Sequence, residues 1–544
     1  MKPKLSAVCL AVLFASEMVY PSPMRYLYRA DERVVSEWPC EVVVHPYICG
    51  EQVTGNGERV VVKACAGEKF SPAIAPWNGM VTGVSTNGGT VCVDYALRPT
   101  DRSFIRCQLL LPAKEKWSGR FWGQGNGGQA GGKPRAMPAF ANAGDAVAHT
   151  DMGTSDDRAY GNPEAWTDFS HRATHLMTLS AKALIKAHYG RSPRFSYFYG
   201  ASTGGNQGLM EAERYPDDYD AVLAIVPAFA RVPYHVKYVW NARQVFRPDG
   251  SRALTDQQIA TVEKAVLDWF ADKDEPYARG KYLARTFWTD ADMDGVLALA
   301  ASRDPSIGAN DIKARFRAVW DGPVINGRRA GLGLPPGARL STWLSGTYTS
   351  KETWLWNWFS DRHRPLLSIT DDEIEAWAKG PARQFNATNP DLSRFFARGG
   401  VLLMTGGAED DICEPAPMIA FADEVIARNP AAAKTNFRFY LNPGRAHGGV
   451  HRGLCDLENM WSALVAWREK GVAPDVMQGV FDWSEKGFPD DFYGGKSKDA
   501  RRLPVAPWPD KMSGPDENCL RRVRGSHPAG SMIDPLYFGW GRYD

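Results

Sequence analysis

One stretch constrains this chain more than any other: FSYFYGASTGGNQG, residues 195–208. Phe195 to Tyr199 are aromatic, strand-forming residues, and Thr203 to Arg214 read as a helix that Pro216 ends. Between them, Gly200-Ala201-Ser202-Thr203-Gly204 spells G-x-S-x-G. A serine on a tight strand-to-helix turn needs small neighbours, because its backbone is strained and other chain passes close by. That is the sequence form of a nucleophile elbow. A glycine-rich turn with a helix-capping serine is the alternative, and the flanking strand and helix favour the nucleophile.

The surroundings suit that reading. Runs such as GERVVVKACAG and IRCQLLLP read as strands. From about residue 118 strands and helices alternate: FWGQGNGG ends a strand in glycines, GDAVAHTDMG is a strand running into a loop, residues 168–189 have a helical period, and AVLAIVP follows the serine helix as a buried strand. Such alternation predicts an α/β protein with a mostly parallel sheet covered on both faces. After Pro227 the pattern becomes helical and aromatic. LTDQQIATVEKAVLDWF carries a capping box, Thr255 to Gln258, and an apolar stripe of Ile259, Val262, Val266, Trp269 and Phe270. The strand pattern resumes at GGVLLMTGG and TNFRFYLNPG. The expected organisation is a hydrolase core in two parts, 17–227 and 396–544, with a helical lid inserted at 228–395.

A nucleophilic serine needs a base, and the base needs an orienting carboxylate. In the α/β-hydrolase order both follow the serine, each in a loop after a later strand. The two late strands supply them. Glu409, Asp410 and Asp411 come after the first, and His447, between small residues, comes after the second; His451 lies further along and is the weaker candidate. The developing oxyanion requires two backbone N–H groups. One is expected from Thr203, and the other from the turn Gly125-Asn126-Gly127-Gly128, at Gly127 or Gly128.

Other features carry less. His171 and His175 are spaced i, i+4 like a metal pair, but the sequence offers no evident third ligand. TDADMDG, residues 289–295, reads as a solvated acidic turn rather than a calcium loop. Net charge is +2 with no basic cluster beyond Arg521, Arg522 and Arg524, so nucleic acid is not an expected partner. No apolar run is long enough to span a membrane. Lys2 and Lys4 before the apolar stretch Leu5–Ala15 fit a signal peptide over residues 1–16, although the cleavage site is poor. Without Cys9, eight of nine cysteines remain, an even count that suits a secreted or periplasmic protein.

Several blocks together resemble the tannase and feruloyl esterase family of α/β-hydrolases, which includes the enzyme that cleaves mono(2-hydroxyethyl) terephthalate. They are WSGRFWGQGNGG, HRATHLMTLSAKALIKAHYG, SYFYGASTGGNQGLMEAERYPDDYDAVLAIVPA, WDGPVINGRRAGLGLPPG, PDLSRFFARGGVLLMTGGAEDDICEP, FYLNPGRAHGG and ALVAWREKGVAPD. The resemblance runs from roughly residue 85 to 515. It implies a hydrolase core with an inserted lid and a serine esterase acting on small esters of aromatic acids, without a cofactor. It places the nucleophile at Ser202, the base at His447 and the acid at Asp410, with Glu409 and Asp411 as fallbacks. A broad short-chain carboxylesterase and a non-catalytic polyphenol- or carbohydrate-binding relative are the alternatives.

Two departures from the family pattern matter. The family typically joins a cysteine just before the serine to one just after the histidine; here those positions are Ala201 and Gly448. Cys413 and Cys455 are the candidates for a substitute bridge between the acid and base loops. The family's calcium loop corresponds to residues 270–280, where most carboxylates are missing, so no calcium is expected there. Trp354, Trp356 and Trp358 alternate in a way that would point two of them to one side, toward the acyl ring, or else they form lid core.

Overall fold

The computed structural model of the chain describes residues 50–53, 59–62, 69–271, 283, 285–344, 354–360, 363–447, 454–457, 459–481, 501–508, 533–534 and 537. The signal segment 1–16, the stretch 272–280 and His451 lie outside them.

Nine strands form the central sheet. They are β1 (Met80–Asn87), β2 (Thr90–Leu97), β3 (Ile105–Leu111), β4 (Arg120–Gln124), β5 (Ala146–Thr150), β6 (Phe195–Ala201), β7 (Ala221–Ile225), β8 (Val401–Gly407) and β9 (Phe437–Asn442). Their order across the sheet is β9-β8-β7-β6-β4-β5-β3-β2-β1. The pairings from β5 through β9 are parallel, and β1, β2 and β3 join as an antiparallel meander onto β5. The fold is therefore that of an α/β-hydrolase, as the alternation of elements predicts.

The sheet is covered on both faces, and the sequence shows why. Successive strand residues point to opposite sides. Phe121 and Phe198 enter one apolar cluster, and Trp122, Tyr197 and Tyr199 the other. Likewise Leu402 and Met404 face one way, and Val401 and Leu403 the other. Both sides are buried, so these strands read as continuous apolar runs. On the first face lie α1 (Ala173–Tyr189) and α2 (Thr203–Arg214). The turn before α1, Asp168–Arg172, is a widened helical turn that carries His171.

Between β7 and β8 the chain leaves the sheet for a helical segment. It contains α3 (Arg231–Val245), α4 (Asp256–Ala271), α5 (Asp290–Arg303), α6 (Asn310–Asp321), α7 (Trp354–Ser360) and α8 (Asp371–Lys379). The capping box at α4 is made both ways: Thr255 Oγ1 accepts from the Gln258 amide at 3.1 Å, and Gln258 Oε1 accepts from the Thr255 amide at 2.9 Å. Ile259, Val262, Val266 and Phe270 are buried, with Trp269 half-buried beside them. The TDADMDG stretch is the start of α5 rather than a loop. Thr289 caps it, and Asp290 and Asp294 pair with Arg317. Trp354, Trp356 and Trp358 lie on α7, and all three are buried. The helix α9 (Pro415–Arg428), in the β8–β9 crossover, and α10 (Met460–Lys470), after β9, complete the layers.

The second cluster depends on a few large side chains. Trp122 is fully buried, stacks on Tyr197 at 4.6 Å between ring centroids and donates its indole N–H to Asp145 at 2.9 Å. Trp122→Ala removes that volume and leaves Asp145 short of a donor. We expect a loss of about 3–5 kcal/mol, read as a lower urea midpoint.

Candidate active site

The serine turn is strained in the sense the sequence requires. Ser202 has φ 59° and ψ −116°, a region that non-glycine residues rarely occupy. Its side chain makes no capping bond to α2, so the capping-serine alternative fails. The glycines explain how the turn closes. A Cβ on Gly200 would lie 2.5 Å from the Gly204 Cα, and one on Gly125 would lie 2.4 Å from the same atom. Three backbones thus meet where side chains cannot fit.

Hydrogen bonds weld the glycine-rich turn to the nucleophile helix. The Gly204 amide donates to Asn126 O at 2.7 Å, and the Asn126 amide donates to Gln207 Oε1 at 2.7 Å. Thr203 Oγ1 donates to Gly128 O at 2.7 Å and itself accepts from Arg231 at 2.9 Å. With the Asn126 amide occupied, the next amides along the turn belong to Gly127 and Gly128, both exposed. Gly128 sits at φ +54°, a conformation that suits glycine. Thr203 opens α2, so its amide has no intrahelical acceptor.

The acid and base loops extend from neighbouring strands, β8 and β9. His447 Nδ1 lies 3.1 and 3.0 Å from the two oxygens of Asp410. The Asp410 carboxylate is fully buried and also accepts the amides of Ile412 at 3.0 Å and Cys413 at 2.8 Å. Its neighbours are committed elsewhere. Glu409 accepts the Leu283 amide, and Asp411 faces Trp343 and Arg339. Burial, then the charge of Asp410, pushes the Asp411 carboxyl above its usual range.

Backbone bonds continue the sheet laterally beyond the strand ends. The Ser202 amide donates to Ile225 O at 2.9 Å, Val226 to Thr405 O at 2.8 Å, Ala408 to Asn442 O at 2.9 Å and Glu409 to Arg445 O at 3.0 Å. Serine, acid and base loops therefore form one hydrogen-bonded row. Cys413 is a free, buried thiol facing Asp410 and His447, so it is not half of a bridge to Cys455; the side chain of Cys455 lies outside the described residues. The Cys413 amide, two residues before α9, is bound to Asp410. Lys237 holds the acid loop instead. Its buried ammonium pairs with Glu414 and donates to Asp411 O at 3.1 Å and Ile412 O at 3.0 Å. Burial pushes the Glu414 carboxyl up to about 7, and Lys237 works against that shift.

Sequence reasoning missed Arg231 and Lys237. Both open the inserted helical segment on α3, with their charges turned inward. Arg231 lies over the rings of Phe169 and Trp354, 5.7 and 5.6 Å from their centroids. Two cations six and twelve residues after a buried strand, on a helix that follows it, were a signal, since Lys and Arg are seldom fully buried unless paired.

Comparison with known proteins places the chain in one family. The family model "Tannase and feruloyl esterase" matches residues 91–360 and 368–514. A probable feruloyl esterase of Arthroderma benhamiae is 27% identical over 420 residues, covering 68% of this chain and 74% of the relative. An uncharacterized esterase of Xanthomonas campestris is 26% identical over 450 residues, covering 70% and 75%. Among solved structures, feruloyl esterase B from Aspergillus oryzae superimposes with a TM-score of 0.65 at 21% identity, covering 79% of this chain and 93% of that one. The tannin acyl hydrolase of Aspergillus niger gives 0.63 at 17% identity, covering 84% and 93%.

Two variants test the packing of the site. Gly200→Ala forces its Cβ against the backbone of Gly204, so the nucleophile helix must move; we expect esterase activity to fall by about 100-fold or more, because a displacement of about 1 Å costs that much, measured as kcat/KM on an activated ester. Lys237→Met strands Glu414 in the interior; we expect about 3–5 kcal/mol lower stability in chemical denaturation.

Proposed function

This chain belongs to the tannase and feruloyl esterase family and is a carboxylic ester hydrolase, and from that premise we propose that it cleaves esters of aromatic carboxylic acids through Ser202, His447 and Asp410. The acyl group is of feruloyl or other hydroxycinnamoyl, galloyl or terephthaloyl type. The observation that carries the reading is the strained backbone at Ser202 together with the Asp410–His447 bond, in loops that follow the C-terminal ends of parallel strands of one sheet.

His447 takes the proton of Ser202 as the oxygen attacks the ester carbonyl. Asp410 fixes the imidazole by holding Nδ1, which leaves Nε2 for the proton in flight, and it stabilises the imidazolium that forms. Charge that develops on the carbonyl oxygen meets the amides of Thr203 and of Gly127 or Gly128. These donors are preorganised, so they need no reorientation during the reaction. The alcohol leaves with the proton from His447. Water then attacks the acyl-enzyme with the same base. No step draws on a cofactor or metal ion. The inserted helical segment acts as the lid over the acyl ring. Among the described residues no helix is long and apolar enough to cross a membrane. Export to the periplasm or the medium fits an enzyme for plant phenolic or polymer esters.

A hydrolysis panel tests the reading: methyl gallate, methyl ferulate, chlorogenate, mono(2-hydroxyethyl) terephthalate and 4-nitrophenyl butyrate, each beside Ser202→Ala. We expect turnover of one aromatic class, lowered by at least about 10³-fold in the mutant. Turnover of the butyrate ester alone would make the protein a broad short-chain esterase. Equal binding of an aromatic ester by both proteins, without turnover, would make it a binding relative.

A further inference from the structure

The nucleophile helix has a second polar centre, away from the serine. Glu211 lies nine residues along α2 from Ser202, about 13 Å at 1.5 Å per residue. It is fully buried, and no donor among the described residues reaches either oxygen of its carboxylate. A buried carboxyl without a donor is costly, and native proteins rarely leave one so. What faces Glu211 is another acid and an imidazole. One ligand atom each from His175, Glu211 and Asp218 all lie within 4.8 Å of one another.

The cluster joins three parts of the chain. His175 comes from the first turn of α1, Glu211 from the last turn of α2, and Asp218 from the loop that leads into β7. His175 Nδ1 is 2.6 Å from Asp218 Oδ2. The imidazole is held in plane by Tyr215, whose ring stacks on it at 3.8 Å and 8°. The hydroxyl of Tyr215 in turn meets His171 Nδ1 at 2.6 Å. His171 thus positions the ring beside His175, so the i, i+4 histidine pair does not itself make the ligand set.

The nearest cations are already engaged. Lys182 donates to the backbone carbonyl of Asp218 and lies over the ring of Tyr219. Arg398 and Arg468 pair with Asp220. Two carboxylates and an imidazole therefore converge with one lysine ammonium at their edge. His175 is part-exposed, which gives an ion an entry path and leaves room for a water.

We propose that His175, Glu211 and Asp218 form a site for a divalent transition-metal ion of the zinc type. One nitrogen and two carboxylate oxygens, with water in the fourth position, suit a borderline cation that accepts tetrahedral coordination. The ion would clamp α1, α2 and the loop before β7, and so brace the helix whose other end carries Ser202. It would take no part in ester cleavage. The competing arrangement is a proton held between Glu211 and Asp218.

Zinc uptake by the purified full chain distinguishes them. The protein is stripped with chelator, incubated with zinc chloride, desalted, and assayed for bound metal and thermal midpoint. We expect about one zinc per chain and a raised midpoint, because a ligand that binds only the folded state stabilises it. Retained zinc should fall at least about tenfold in His175→Ala, whose part-exposed position spares the core, and in Glu211→Gln. It should persist in His447→Ala, which separates this site from the Asp410–Cys413–His447 cluster. No zinc retained and no shift with zinc or manganese would overturn the proposal. Metal kept by His175→Ala but lost from His447→Ala would also overturn it, as would a Glu211→Gln protein as stable as the parent with and without zinc. None of these readings depends on the ester the protein cleaves.

Discussion

Everything in the site follows from one unfavourable conformation. Ser202 holds φ 59°, and strain of this kind costs of order 1–3 kcal/mol, so the surroundings must over-determine it. They do so from three directions. From below, Gly125, Gly200 and Gly204 let three backbones meet at distances no Cβ would allow. From the side, the Ser202 amide is bound to Ile225 O, and Ser202 O accepts from Ala228. From ahead, the glycine turn is pinned to α2 through Gln207 and Thr203. Relaxing the turn would break bonds in all three places. Strain here is a consequence of the geometry that places Ser202 in the tight turn between β6 and α2.

That over-determination bears on the missing family disulfide. A covalent link between serine and histidine loops would restrain them mainly by limiting the unfolded chain. In this protein the loops are joined by a row of amide-to-carbonyl bonds from Ser202 through Val226 to Arg445. Each net bond contributes only about 1 kcal/mol, but the row continues a parallel sheet that is buried on both faces. Lys237 adds what the row lacks, a fixed point under the acid loop from outside the sheet. The cation comes from the first two turns of α3, so the packing of the inserted segment on the core also fixes the acid loop.

Much of this was legible in the sequence. The elbow, the α2 boundaries, the β7, β8 and β9 strands and the capping box at Thr255 are local, and local patterns specify them. His447 and Asp410 stood out as candidates because loop order after strands limits the choice, and the fold brings their side chains together. Three things were not. The alternation of Trp354, Trp356 and Trp358 did not distinguish a substrate-facing side from lid core; all three are buried on α7. The Cys413 pairing failed because spacing says nothing of which way a sulfur points. Lys237, Arg231 and the partners of His175 come from segments 30 to 60 residues from the groups they serve, or far more, and no periodicity connects them.

The acid loop shows what the fold adds to composition. Glu409, Asp410, Asp411 and Glu414 place four carboxyls within six residues, all buried. Sequence order alone cannot assign their tasks. The structure sorts them by partner: a backbone amide for Glu409, the imidazole and two amides for Asp410, tryptophan and arginine for Asp411, and a lysine for Glu414. Only one of these partners can carry a proton to a nucleophile. The other three acids, once satisfied, are fixed negative or polar groups around it, and their positions keep the Asp410 carboxylate where His447 must find it. The proposal that Asp410 is the acid thus rests on the partners of its neighbours, which are a property of the packed loop and of α3, which supplies Lys237.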